Sequence, residues 1–209
     1  MDPSSLGFIH RYKAAPEPEG ARTLLLLHGT GGDESDLFDL GRLLAPTANL
    51  LGVRGKVLEH GAPRFFRRLA EGVFDFEDLK LRTDELIGFI EKASAAYEFD
   101  SKTITAVGYS NGANIAGSVL LTKPGVLHSA ILLRAMVPFV PDPLPDLAHT
   151  PILITSGLQD PIIPSSESDK LVQLLRSSNA NVTVQHIHTG HNLIQEDLTV
   201  AHAWLELNH

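Results

Sequence analysis

Thr103-Ile104-Thr105-Ala106-Val107-Gly108-Tyr109-Ser110-Asn111-Gly112-Ala113 is the stretch on which the reading of this chain turns. Its first half is β-rich and apolar, and its second half opens Asn111–Leu121, a segment with helical spacing. Between the two stands Gly108-Tyr109-Ser110-Asn111-Gly112, a serine framed by glycines two residues to either side. A serine held between strand and helix in this pattern sits on a sharp, strained turn that lifts its hydroxyl above the edge of a sheet. The glycines leave room for neighbouring backbone to approach, and the helix that follows aims the positive end of its dipole at a developing anion. Ser110 is therefore a candidate nucleophile. The competing reading is an ordinary helix N-cap serine between two turn glycines.

Outward from this turn, two kinds of apolar segment alternate. Short β-rich runs occur at Phe8–Lys13, Thr23–His28, Leu50–Val53, Thr103–Tyr109, Ala130–Leu133, Ile152–Ser156 and Val182–Ile187. Several are apolar at nearly every residue, as strands buried on both faces are. Helical spacing marks Ser35–Leu44, Leu79–Tyr97, Asn111–Leu121, Ser165–Arg176 and Leu193–Leu207. The alternation predicts an α/β fold, a mostly parallel central sheet with helices on both faces. Pro138–Pro151 reads as a loop, and Arg54–Phe76 is the least regular long piece, with room for a short helix.

The chain has 209 residues, 43% of them hydrophobic, enough for one well-buried domain over 1–209 and short of two. A formal net charge of -8 argues against nucleic acid as a partner, since phosphate contacts need clustered Lys and Arg. Without cysteine there are no disulfides, no thiolate metal sites and no Cys nucleophile, which fits a reducing compartment. Met1-Asp2-Pro3-Ser4-Ser5 has no basic leader, and no apolar run approaches the about 20 residues that span a bilayer. The expectation is a cytoplasmic protein, monomer or homodimer, without membrane insertion.

A serine hydroxyl needs a base to take its proton and a third group to orient that base. In folds with this turn the chain order is Ser, acid, His. Asp160 follows Ile152–Ser156 in Gly157-Leu158-Gln159-Asp160-Pro161, and His191 follows Val182–Ile187 in Thr189-Gly190-His191-Asn192. Both therefore project from the sheet edge that carries Ser110. Asp142 and Asp146 are rival acids, and His186 and His188 rival bases. The i, i+2 spacing of His186 and His188, with His191 nearby, also raises a metal site, but no further ligand is marked. The expectation is no metal.

Attack on a carbonyl builds charge on its oxygen, which backbone amides can hold. One amide should be that of Asn111. His28-Gly29-Thr30-Gly31-Gly32, after Leu24–Leu27, supplies a second glycine-rich turn, and the Thr30 amide is the choice within it. A phosphate-binding loop is the competing reading; the Lys-Ser/Thr ending of a P-loop is missing.

Together, Leu27 to Glu34, Gly108 to Gly112, Gly157 to Pro161 and Gly190-His191 resemble the phospholipase/carboxylesterase family of small α/β-hydrolases, over nearly the whole length. The GYSNGA form of the serine turn and the stretch Pro63 to Arg68 resemble its MhqD-like bacterial branch. Both the serine turn and the glycine loop depart from the GFSQGG and HGLGD forms of the related acyl-protein thioesterases. The resemblance implies an α/β-hydrolase fold with little or no lid, no cofactor, and hydrolysis of small carboxylic esters. Thioester, lactone or dienelactone hydrolysis by the same residues, or a non-catalytic binding protein on the same scaffold, remain open.

Arginines bear on the substrate. Arg54 follows Leu50–Val53 and Arg134 follows Ala130–Leu133, both at strand carboxyl ends. Arg64, Arg67 and Arg68 follow in the irregular segment among Phe65, Phe66, Phe74 and Phe76. Arg54, Arg134 and Phe66 are the candidate substrate contacts, favouring a short acyl chain that is polar or anionic. The opposing reading pairs these arginines with Glu59, Glu71, Asp75, Glu77 and Asp78 on the surface.

Overall fold

The computed structural model describes residues 6–208, so the residues read above for a leader, 1–5, lie outside the described residues. The seven apolar runs form one sheet: β1 (His10–Lys13), β2 (Thr23–Leu27), β3 (Asn49–Val53), β8 (Ile104–Tyr109), β9 (Ser129–Leu133), β10 (Pro151–Gly157) and β11 (Asn181–Ile187). In space they run β1-β3-β2-β8-β9-β10-β11. β1 lies antiparallel to β3, and every other pair is parallel. The helical segments become α1 (Phe38–Leu44), α2 (Phe76–Tyr97), α3 (Asn111–Thr122), α4 (Ser165–Ser177) and α5 (Gln195–Leu207).

The unbroken leucine run of β2 shows why this sheet needs cover on both faces. Leu25 and Leu27 point into a core with Leu86 and Ile90 of α2, Ile115 of α3 and Leu171 of α4. Leu24 and Leu26 point the other way, against Phe38 and Leu44 of α1 and Trp204 and Leu205 of α5. Strand alternation thus sends each successive leucine to a different core, and each buried leucine contributes about 1.5–3 kcal/mol. Among the described residues no helix is long and apolar enough to cross a membrane.

The irregular segment holds two small hairpins where the sequence left room for a helix: β4 (Val57–Glu59) with β5 (Ala62–Arg64), and β6 (Arg68–Ala70) with β7 (Val73–Phe74). The cause is local. His60 and Gly61 both have positive φ, 51° and 85°, the two-residue geometry that matches strand twist in a tight hairpin. Gly72 has φ 72° in the second turn. A helix starts only at Phe76, where the Asp75 carboxylate accepts from the Asp78 amide.

Because β2, β8, β9, β10 and β11 are parallel, the loops after them open on one edge. Ser110 follows the central β8, Asp160 follows β10 and His191 follows β11.

Candidate active site

Ser110 joins β8 to α3 with φ 53° and ψ -113°. A non-glycine residue there costs about 1–3 kcal/mol, so the surroundings must hold it. They do. The Ser110 amide donates to the Leu133 carbonyl (2.9 Å), and its own carbonyl accepts from the Asn114 amide (3.0 Å). A Cβ on Gly112 would lie 2.0 Å from the Leu27 carbonyl oxygen, and one on Gly108 would lie 2.6 Å from Gly112 O. Both glycines are therefore required by close backbone approach.

The structure brings Ser110, His191 and Asp160 together. Ser110 Oγ lies 3.0 Å from His191 Nε2, and His191 Nδ1 lies 2.7 Å from Asp160 Oδ2. With a carboxylate accepting at Nδ1, Nε2 is left as the acceptor facing the hydroxyl. The other oxygen of Asp160 accepts from the amides of Ile162 (2.8 Å) and Ile163 (2.9 Å), so the carboxylate is fixed from both ends. The loops carrying the acid and the histidine are in contact: Gln159 N donates to Thr189 O, and a Cβ on Gly157 would meet Gly190 O at 2.3 Å.

His186 is engaged elsewhere, with Ser156 Oγ at 2.7 Å from its Nδ1 and Asp169 at 3.6 Å from Nε2, and His188 is exposed. Among the described residues no group of three or more His, Asp and Glu side chains is placed to hold a metal. Asp146 bonds the Ala148 amide and Asn179 instead.

Thr30 and Asn111 line the same pocket as Ser110 and His191. Neither of their amides donates to another group among the described residues, although the neighbouring Gly31 and Gly32 amides do. The glycine loop is pinned by His28, a residue sequence reasoning passed over. Its Nδ1 faces Gly29 O at 2.6 Å and its Nε2 accepts from the Gly55 amide at 3.0 Å. That pattern is a neutral imidazole, and burial pushes its pKa down. The Asn111 side chain also ties the serine turn to the hairpins, accepting from the Phe65 amide at 2.7 Å.

All three expected substrate contacts fall elsewhere. Arg134 is wholly buried, and all five of its N–H groups are used. It donates to both oxygens of Asp197 (2.8 Å each), to Thr155 Oγ1 (2.8 Å), and to the carbonyls of Gly190 and Asn192 (3.2 Å each). It therefore holds the loop around His191 rather than a substrate. The Tyr109 hydroxyl donates to the carbonyl of His191 itself (3.2 Å), so three successive carbonyls of that loop are anchored. Nothing local could have revealed this: Asp197 lies 63 residues from Arg134. Arg54 grips Glu34 with two nitrogens, Nη2 to Oε1 at 2.9 Å, bracing the glycine loop from outside. Phe66 is fully buried against Phe74; Phe74 is the phenylalanine that reaches the pocket.

The pocket holds about 320 Å³, with apolar surface from Phe74, Met136, Ile162 and Ile163. Asn114 contributes from α3, its Oδ1 already accepting from the Met136 amide. The hairpins supply the opposite wall through Arg64, Arg68 and Glu71.

This architecture has close counterparts. The Phospholipase/Carboxylesterase family profile matches residues 75–209. The Bacillus subtilis (strain 168) protein named "Putative hydrolase MhqD" is 51% identical over 87% of this chain and 90% of its own. The crystal structure of the Bacillus cereus carboxylesterase superposes with a TM-score of 0.96 at 44% identity, covering 99% of this chain and 97% of its own. YahD, solved with malic acid, gives 0.91 at 28% identity over 97% and 100%. Sequence and fold agree in placing the chain in the phospholipase/carboxylesterase family, as a hydrolase of the carboxylesterase type.

Proposed function

We propose that the chain hydrolyses small, short-chain carboxylic esters through an acyl-enzyme on Ser110. His191 Nε2 takes the hydroxyl proton as Oγ attacks the ester carbonyl, and Asp160 steadies the imidazolium that forms. The amides of Thr30 and Asn111 hold the oxyanion; one such donor is typically worth about 2.7–4 kcal/mol. Collapse expels the alkoxide, which receives the proton from His191. A water then loses its proton to His191 and attacks the acyl carbonyl. Collapse breaks the bond to Ser110 Oγ, which regains the proton from His191 as the acid leaves. No cofactor enters any step.

The observation that carries this reading is the unbroken line from Ser110 Oγ through His191 to Asp160, at 3.0 and 2.7 Å, on the wall of a pocket. The small volume supports small substrates, since ligand sites commonly run from about 300 to 1,000 Å³. The malic acid in the YahD crystal supports a small polar acid as product.

The test is Ser110→Ala assayed against nitrophenyl esters from acetyl to palmitoyl, beside a thioester and a lactone. Loss of the nucleophile in a serine hydrolase costs up to about 10⁶ in kcat. Activity should vanish in the variant, and in the wild type should fall with acyl length. A Ser110→Ala enzyme with substantial turnover refutes the assignment.

A further inference from the structure

Two guanidinium groups face the pocket that holds Ser110. Arg64 is only 3% exposed yet lines this pocket, so its remaining exposure opens there. Arg68 lines it too and is one-third exposed. Both lean on a single carboxylate: Glu59 Oε2 lies 3.3 Å from Arg64 Nη1, and Oε1 lies 2.9 Å from Arg68 Nε. The hydrogen bond from Arg68, helped by the nearby Arg64 charge, holds the Glu59 carboxyl below its ordinary pKa. Two guanidinium groups thus share one hydrogen-bonded carboxylate on this wall, in a chain whose own formal charge is -8.

The donors are not used up either. Arg64 Nε donates to Phe66 O (3.3 Å) and Nη1 to Thr30 Oγ1 (2.8 Å). Nη2 of Arg64 and both terminal nitrogens of Arg68 have no protein partner among the described residues. Arg64 Nη2 is not shut off from solvent, so its spare donor opens on the pocket, where an anionic acceptor can replace water. Glu71, the other charged group lining the pocket, sits exposed beside the second hairpin turn, where solvent screens it.

We propose that Arg64 and Arg68, set by Glu59, form a carboxylate subsite that selects esters bearing a second, ionised carboxylate. The proposal rests on Ser110 as the nucleophile. The bond from Arg64 to Thr30 fastens the subsite to the loop whose amide is assigned to the oxyanion. A carboxylate held there therefore stays in fixed register with the reacting carbonyl. Arginine suits the task because its planar fork pairs with a carboxylate through two parallel bonds.

The carboxylate can belong to the acyl or the alcohol part, and two substrate pairs separate these. The first is monomethyl succinate against methyl 4-methylpentanoate; the second is O-acetyl-lactate against 3-methyl-2-butyl acetate. Each is followed by acid release at constant pH. In at least one pair the wild type should favour the anionic member in kcat/KM by about tenfold to a hundredfold, the range expected of hydrogen bonds to a charged group. Arg68→Gln should cut that ratio by about tenfold. Arg64→Lys, which keeps the charge and loses the fork, should lower it too. Arg67→Gln is the control: Arg67 pairs with Asp75 and Asp78 away from the pocket, and the ratio should stand. If Arg64→Lys does not fold, Arg68→Gln alone decides.

Neutral esters turned over by the wild type with no anionic preference in either pair, or a preference untouched by Arg68→Gln, overturn the subsite and leave the Ser110 reading intact. Turnover surviving in Ser110→Ala takes both down.

Discussion

The pocket has a histidine side and a hairpin side, and arginine serves them in opposite ways. On the histidine side Arg134 is wholly buried, with every N–H satisfied and its charge matched by Asp197. On the hairpin side Arg64 and Arg68 divide one carboxylate and keep terminal nitrogens unpartnered among the described residues. A saturated guanidinium can only hold its surroundings in place; an unsaturated one beside a cavity can still bind something. On the proposed reading, the difference separates a residue that positions the base from residues that read the substrate, though all three lie close to one pocket.

The largest effect should come from breaking the saturated side. Arg134→Met leaves the Asp197 carboxylate buried without its counter-charge, which typically costs about 3–5 kcal/mol of stability. Urea denaturation measures it, and a loss below about 1 kcal/mol would mean that the pair is not a structural unit. Pairing this with Asp197→Leu sharpens the contrast. An apolar replacement of both partners is often near neutral for stability, yet the carbonyls of Gly190 and Asn192 remain unheld. Stability should recover while kcat stays low with KM little changed. Recovery of both would make Arg134 a folding residue with no part in placing His191.

Tyr109→Phe removes one anchor from the same loop, the hydroxyl donated to His191 O. It should cost about 0.5–1.5 kcal/mol and reduce kcat more than KM. Arg68→Gln, on the other side, should lower stability by at most about 1 kcal/mol, since its pair with Glu59 is partly solvated. Its effect belongs in the substrate ratio. An Arg68→Gln protein that unfolds in less urea than Tyr109→Phe would reverse the roles assigned to the two sides.

The sequence made one side far more legible than the other. The strands could be read because runs such as Leu24–Leu27 are apolar at every position, and Ser110, Asp160 and His191 because each follows such a run. Position after a strand says where a residue begins, however, and not which way its side chain turns. Arg134 takes a left-handed backbone, φ 57°, and runs to a partner 63 residues on. Arg54 turns outward to Glu34. On the hairpin side the signal was present and went unread. His60-Gly61, two residues between short β-prone stretches, is a hairpin turn, and hairpins aim alternate residues inward. Arg64, the last residue of that hairpin, lines the pocket, and Phe65 and Phe66, just beyond the strand, are buried in the core.

The hairpin side also depends on an uncharged histidine, which offers the most subtle way to separate the two sides. His28 is buried, its Nε2 receives the Gly55 amide, and burial lowers its pKa. Protonating Nε2 would set one hydrogen against another and place a charge beneath the glycine loop, where burial outweighs the pull of Asp36 and Asp33. In the unfolded chain the same ring titrates near its ordinary value of about 6.5. Below that pH the unfolded state takes up a proton that the folded state refuses, so stability falls as pH falls through this window and is complete above it. His28→Gln keeps an acceptor for Gly55 and a donor for Gly29 but cannot titrate. Unfolding free energies of wild type and variant, measured from about pH 8 down to about pH 5, should run parallel above about 6.5 and converge below it. Curves parallel throughout would show that His28 carries no pH-dependent stability, and the anchoring of the glycine loop would then have to be sought in Arg54 and Glu34.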